Sequence, residues 1–157
     1  MSTIIIYTTK HGSTQTCAGI LALKMDGKVT MVNIKTDDIP CLNCADNIVV
    51  GGPIYVGKIQ KNITRFLEEN RELLLSKKLG LFICCEAEEE DAREQLENAF
   101  SEELREHAVA VENFGGEIRW DDLGLLEKAA VKAVMKQSES SSDIDTEAIE
   151  RMARALE

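Results

Sequence analysis

Five short apolar runs separated by helix-patterned stretches constrain this chain more than any other feature. The runs lie near Thr3 to Tyr7, Val29 to Asn33, Asn47 to Gly51, Leu79 to Cys85 and Val109 to Phe114. Strands and helices that alternate from end to end build a parallel α/β sheet. Between the third and fourth runs, Ile59, Ile63, Phe66, Leu67, Leu73 and Leu74 form one apolar helix stripe. Between the fourth and fifth, Ala92, Leu96, Ala99, Phe100 and Leu104 form another. The stretch from Asn33 to Asn47 has room for a short helix or an irregular loop at most.

After the fifth strand comes Gly115-Gly116, then a helix-like segment from Asp121 to Gln137 with Leu123, Leu126, Ala130 and Val134 on one side. A linker from Ser138 to Ser142 follows, then a closing helix from about Asp145 to Leu156, whose Ile149, Met152 and Leu156 suit packing onto the sheet. A chain of 157 residues is long enough for one domain, spanning 1–157, to bury a core unaided. With no apolar span and no basic N-terminal leader, the expectation is a cytoplasmic protein. A net charge of −10 argues against nucleic acid and suits docking to basic protein surfaces, as a monomer or weak dimer.

Five cysteines without a secretion signal read as reduced thiols. Cys41-Leu42-Asn43-Cys44 is a C-x-x-C immediately ahead of the third strand. That position is the N-terminal edge of the sheet, whereas ligands of open α/β sheets sit at the C-terminal edge. A relay with a bound cofactor is therefore not expected of it, and without a second pair or a histidine it is a weak zinc signal.

The chemistry points to the turn after the first strand, Thr8-Thr9-Lys10-His11-Gly12-Ser13-Thr14. A strand that turns into a helix sets backbone N–H groups beside the positive end of the helix, where an anion is stabilised. Thr8, Thr9, Ser13 and Thr14 can donate O–H bonds to phosphate oxygens, and Gly12 permits close approach. The turn has neither G-x-G-x-x-G nor G-x-x-x-x-G-K-[ST], which leaves a mononucleotide. Thr9 to Thr14, T-x-H-G-S-T, resembles the [ST]-x-T-G-x-T loop of flavodoxins that holds the phosphate of FMN, with His11 where that family usually has Thr. The fold expected is α/β: a flavodoxin-like three-layer sandwich, its five-stranded parallel sheet in the order 2-1-3-4-5, with an extra helix after strand 5. The ligand belongs at the switch point between strands 1 and 3.

That order makes the loop after strand 3 the place for the rest of the ligand. It reads Gly51-Gly52-Pro53-Ile54-Tyr55-Val56-Gly57-Lys58, in which Pro53 is rigid, the glycines admit a planar group and Tyr55 offers a stacking face. G-G-P-I-Y-V-G-K-I is similar to the second flavin loop of flavodoxin-domain proteins. Among these the chain most resembles flavodoxin-type menaquinone-dependent protoporphyrinogen oxidases, whose extra helical segment is echoed by Arg119-Trp120-Asp121 through Lys136. The resemblance implies that Thr9, His11, Ser13 and Thr14, with the amides of Lys10 to Thr14, hold the phosphate. It implies that Pro53, Ile54, Tyr55, Val56 and Gly57 flank the isoalloxazine, and that Cys85, Glu86 and Ala87 meet its pyrimidine edge. The loop from Cys85 to Asp91 has no aromatic, which leaves one ring face open to a substrate or to Trp120.

The acidic residues of that loop are in place both to start a helix and to lower a flavin potential. Cys85 and His107 fall at opposite edges of the sheet and are not expected to act as nucleophile and base. Tyr7-Thr8 and Val50-Gly51 stand where a phospho-acceptor receiver needs acids. Lys128, Lys132 and Lys136 form a basic stripe near Trp120, read as a solvated face or a weak membrane-surface contact. The expected function is an FMN-binding redox protein that passes electrons between protein or quinone-linked partners. An oxidase of the protoporphyrinogen type, and a binding module that has lost FMN, are the alternatives.

Overall fold

A computed structural model describes residues 1–10, 12–87, 89–118 and 141–157. Its strands are β1 (Ser2–Tyr7), β2 (Lys28–Asn33), β3 (Asn47–Tyr55), β4 (Lys58–Ile59), β5 (Lys78–Cys84), β6 (Ala110–Asn113), β7 (Gly115–Ile118) and β8 (Ser141–Ile144). Its helices are α1 (Ser13–Lys24), α2 (Lys61–Glu69), α3 (Arg71–Leu75), α4 (Glu89–Ala99), α5 (Glu102–His107) and α6 (Thr146–Ala155). The main sheet runs β2-β1-β3-β5-β6 with every one of these pairs parallel. With β4 set aside as a short antiparallel addition to β3, this is the expected 2-1-3-4-5 order.

Side-chain alternation along each strand sorts the core into two layers. Ile4, Ile6, Ile48, Val50, Leu79, Leu81 and Ile83 face Ile63, Phe66, Leu67, Leu74, Phe100 and Leu104. Ile5, Tyr7, Val49 and Phe82 face the opposite way, onto Cys17, Ala18 and Leu21 of α1 and Ala148, Ile149 and Met152 of α6. Chain direction explains the division: the connection from β1 steps one way and that from β3 steps the other, so right-handed crossovers place α1 and α2 on opposite faces. Phe82 stacks on Phe114 with ring centroids 4.6 Å apart, and each fully buried ring contributes about 2–3 kcal/mol. Gly51 makes room for that ring, since a Cβ there would sit 2.3 Å from Phe82.

Several elements depart from the sequence reading. Strand β3 does not end at Gly51 but continues through Pro53 to Tyr55, and turns back through Val56 and Gly57 into β4. The expected stripe from Ile59 to Leu74 starts in β4 with Ile59 and then forms two helices, broken at Asn70, whose side-chain amide donates to Phe66 O at 2.9 Å. The stripe from Ala92 to Leu104 also breaks, because Ser101 caps α5 through Leu104 N. Beyond Phe114 the chain forms an antiparallel pair of β7 with β8, so Ser141 and Ser142 belong to a strand rather than a linker. The expected helix from Asp121 to Gln137, with Arg119, Trp120, Lys128, Lys132 and Lys136, lies outside the described residues, as does His11. No helix among the described residues is long and apolar enough to cross a membrane.

Candidate functional site

Three chain segments leave the C-terminal edge of the sheet side by side: Thr8 to Gly12 after β1, the β3–β4 tip, and Cys85 to Ala87 after β5. Gly12 is the N-cap of α1 and adopts a left-handed φ of 90°, which a glycine takes without strain. Its amide donates to Thr9 Oγ1 at 2.9 Å, and its carbonyl accepts from Thr16 N at 3.0 Å. The turn is thus braced from within, and Ser13 and Thr14 follow as the first helical residues. The amides of a helix's first turn have no partner inside the helix, so they face any anion placed there.

Thr8 and Thr14 are both fully buried, and neither hydroxyl has a hydrogen-bond partner among the described residues. Thr14 stands beside the Cys84 thiol and slightly favours its ionisation, but its hydroxyl completes no hydrogen bond by distance and angle. A buried hydroxyl without a partner costs about 1–3 kcal/mol, so two in one cradle mark a place where acceptor or donor groups are to be supplied from outside. Gly52 of β3 backs the cradle: a Cβ there would stand 3.1 Å from Thr8 Oγ1. Glycine at 52 therefore serves the cradle as much as the sheet.

The ring-bearing arm is the overhang of β3. Tyr55 pairs with Lys58 across a two-residue turn in which Val56 (φ 52°) and Gly57 (φ 72°) are both left-handed, the geometry of a type I′ hairpin. Val56 is the single non-glycine residue with positive φ among those described, and it is 84% exposed. A β-branched residue there is strained by about 1–3 kcal/mol. Tyr55 is 40% exposed, and Lys10 Nζ stands 3.1 Å from its ring centroid. The ammonium on the ring face ties the phosphate turn to the ring arm through a cation–π contact.

The third segment is held by a residue the sequence reading missed. Asn113, at the end of β6, accepts from Cys85 N at 3.1 Å and donates to Cys85 O at 3.0 Å, and it also accepts from Gly115 N at 3.0 Å. Its amide acts as a surrogate strand partner that fixes Cys85. Gly116 of β7 was missed as well: a Cβ there would meet Glu86 Cγ at 3.2 Å and Ser13 Oγ at 3.7 Å, so β7 closes the cradle between these two loops. Strand β7 carries little β-forming signal, and nothing in its composition pairs it with β8. The structure brings Thr9, Lys10, Gly12, Ser13, Thr14, Pro53, Ile54, Tyr55, Val56, Gly57, Cys85, Glu86 and Ala87 to one edge. A groove of about 730 Å³ beside α4 and α6 shares only Ala87 with this set.

Burial raises the Cys85 thiol, and a hydrogen bond that the Cys84 thiol donates to Cys17, followed by burial, raises Cys84, so neither is disposed to act as a nucleophile at neutral pH. His107 lies at the other end of the sheet with Nε2 2.8 Å from Lys77 O, which separates it from Cys85 as expected. No cluster of three or more metal-ligating side chains occurs among the described residues.

A parallel sheet in this order, with helices on both faces and a glycine-capped turn at the junction of β1 and β3, defines a doubly wound α/β class of protein. The sequence is matched over residues 4–145 by the model of the flavodoxin domain, and the chain belongs to the flavodoxin-domain family. Its fold is similar to a WrbA-like flavodoxin from Agrobacterium tumefaciens, at 17% identity and a TM-score of 0.57 over 99% of this chain and 94% of that one. A short-chain flavodoxin associated with a PDU bacterial microcompartment gives 16% identity and a TM-score of 0.59, over 99% and 96% of the two chains. The flavodoxin of Streptococcus pneumoniae TIGR4 gives 16% and 0.55, over 99% and 95%. No curated protein sequence is significantly similar to this chain.

Proposed function

We propose that this chain is an FMN-binding flavodoxin-type redox protein that passes electrons between protein or quinone-linked partners. The observation that carries the reading is the pair of buried, unpartnered hydroxyls of Thr8 and Thr14 in a glycine-walled turn at a helix N-terminus. Phosphate oxygens are the acceptors that such a turn lacks. Thr8, Ser13 and Thr14 with the amides of Ser13 and Thr14 would hold them, and Tyr55 would flank the flat ring system. Gly116 and the Asn113-clamped Cys85 to Ala87 segment would bound its polar edge. FMN, when bound, supplies the electron-carrying chemistry, while the chain sets affinity, potential and access.

Colour and fluorescence test this directly. Micromolar protein should quench added FMN fluorescence and retain the flavin through gel filtration, and Thr14→Glu should abolish retention by setting a carboxylate against the phosphate. A colourless protein that leaves FMN fully fluorescent would instead make the chain a binding module without flavin. The absence of an aromatic between Cys85 and Ala87 supports a second reading, an oxidase that admits a substrate to the open ring face. Anaerobic mixing with protoporphyrinogen should then bleach the bound flavin, and an unchanged spectrum would leave electron transfer between carriers.

A further inference from the structure

The C-x-x-C motif is absorbed by none of this, and its surroundings give it a chemistry of its own. Cys41 and Cys44 are both exposed, at the two ends of a one-turn helix formed by Leu42–Cys44, with Cys44 N donating to Cys41 O at 3.3 Å. A turn closed from residue i to i+3 keeps its end Cα atoms within about 7 Å, the span a disulfide needs. The turn is held from both sides: Ser2 Oγ donates to Cys44 O at 3.3 Å, and Lys77 Nζ donates to Asn43 O at 2.8 Å. Leu42 between them is buried and anchors the turn to the core. Cys17 and Cys84 are buried and Cys85 is half-buried, so Cys41 and Cys44 are the exposed pair among the five.

We propose that Cys41 and Cys44 form a reversible dithiol–disulfide couple that exchanges with low-molecular-weight disulfides of the glutathione type. The Cys41 thiolate attacks one sulfur of the disulfide RS–SR, the S–S bond breaks, and the departing RS⁻ takes up the proton that Cys41 lost. Cys44 then gives up its proton as its sulfur attacks the Cys41 sulfur, releasing the second RS⁻ as RSH. Two electrons pass from the protein dithiol to one RS–SR, which ends as two RSH. The surroundings assign the roles. Hydrogen bonds from the Cys44 thiol and then the Cys44 amide hold Cys41 below the usual thiol range, with a smaller pull from the Lys77 ammonium, while the bond that the Cys44 thiol donates to Cys41, and then the charge on Cys41, hold Cys44 above it.

The site stands at the N-terminal edge of the sheet, about 20 Å from the cradle by the length of β1, and its chemistry does not depend on a flavin. The test uses the full chain, with and without FMN, equilibrated in mixtures of reduced and oxidised glutathione, quenched by alkylation and mapped by mass spectrometry. The expected product loses two hydrogens, confined to the peptide holding Cys41 and Cys44, with the other three cysteines alkylated. Cys44→Ser should trap glutathione on Cys41, and Cys41→Ser should trap it on Cys44 more slowly, by roughly three- to tenfold. Full alkylation of both cysteines in a pool of oxidised glutathione would overturn the proposal, as would stable glutathione adducts on both. Equal trapping rates in the two variants would remove Cys41 as the attacking sulfur. Unchanged circular dichroism in both variants shows that the result is not one of misfolding.

Discussion

Thr3 and Thr8 stand near opposite ends of the first strand, both buried, and they differ in what their hydroxyls meet. Thr3 Oγ1 accepts from Asn47 Nδ2 at 3.1 Å, and the same amide donates to Leu156 O at 3.2 Å, so the N-terminal edge ties β1, β3 and the end of α6 together. Thr8 Oγ1 meets no partner among the described residues, and neither does Thr14 Oγ1. One edge of the sheet spends its polar groups on the fold and the other keeps them for a ligand. Buried polarity alone therefore does not distinguish a structural site from a binding site; whether its hydrogen bonds are already made does.

The largest effect expected from this contrast is on Thr8→Val with Thr14→Val. Hydrogen bonds to charged oxygens are worth about 1.5–3 kcal/mol each, so FMN affinity should fall by roughly 100-fold or more in a fluorescence titration. The flavin-free variant should melt no lower than the parent, since two unsatisfied hydroxyls are gone; a marked drop would break the comparison. Asn47→Ala should do the reverse. Leaving the Thr3 hydroxyl and the Leu156 carbonyl unpaired should cost about 2–3 kcal/mol in urea denaturation, with the FMN dissociation constant changed by no more than about twofold.

Val56→Asn is the next in size. It gives the type I′ turn an Asn-Gly pair and should raise stability by about 1 kcal/mol, read as a higher urea midpoint; no gain would mean that the positive φ carries little strain. The smallest effect is on pH. Cys84 is raised by its hydrogen bond with Cys17 and by burial, so its contribution is fully present below the ordinary thiol pKa near 8.5 and is lost as pH climbs through the folded value. Stability should decline above about pH 9, and Cys84→Ala should decline less steeply.

The sheet was legible because its strands are Ile- and Val-rich runs bounded by glycine and by polar turns, and the turn at Gly12 because hydroxyls and glycine cluster where a strand meets a helix. The ring arm was legible in place but not in form. Val56 suppressed the usual hairpin signal, since the sequence there is Val-Gly where Asn-Gly marks a type I′ turn. The breaks at Asn70 and Ser101 were hidden because the apolar stripes run through them in phase, although Ser101-Glu102-Glu103-Leu104 is a readable helix start. Pairing of β7 with β8 joins Gly-Gly-Glu-Ile to Ser-Ser-Asp-Ile across more than twenty residues, and short polar strands so far apart leave no local trace. Asn113 was invisible for the same reason: its role exists only once β6 lies beside β5.

Strand β3 runs without interruption from Asn47, bound to Thr3, to Tyr55, exposed at the ligand edge. Tyr55 is therefore placed by the same buried backbone that closes the core, with no hinge between them. An arm so mounted loses little freedom when a ligand docks, and exchanging its tip beyond Pro53 for another hairpin would re-aim the site toward a different planar molecule while leaving the sheet beneath it untouched.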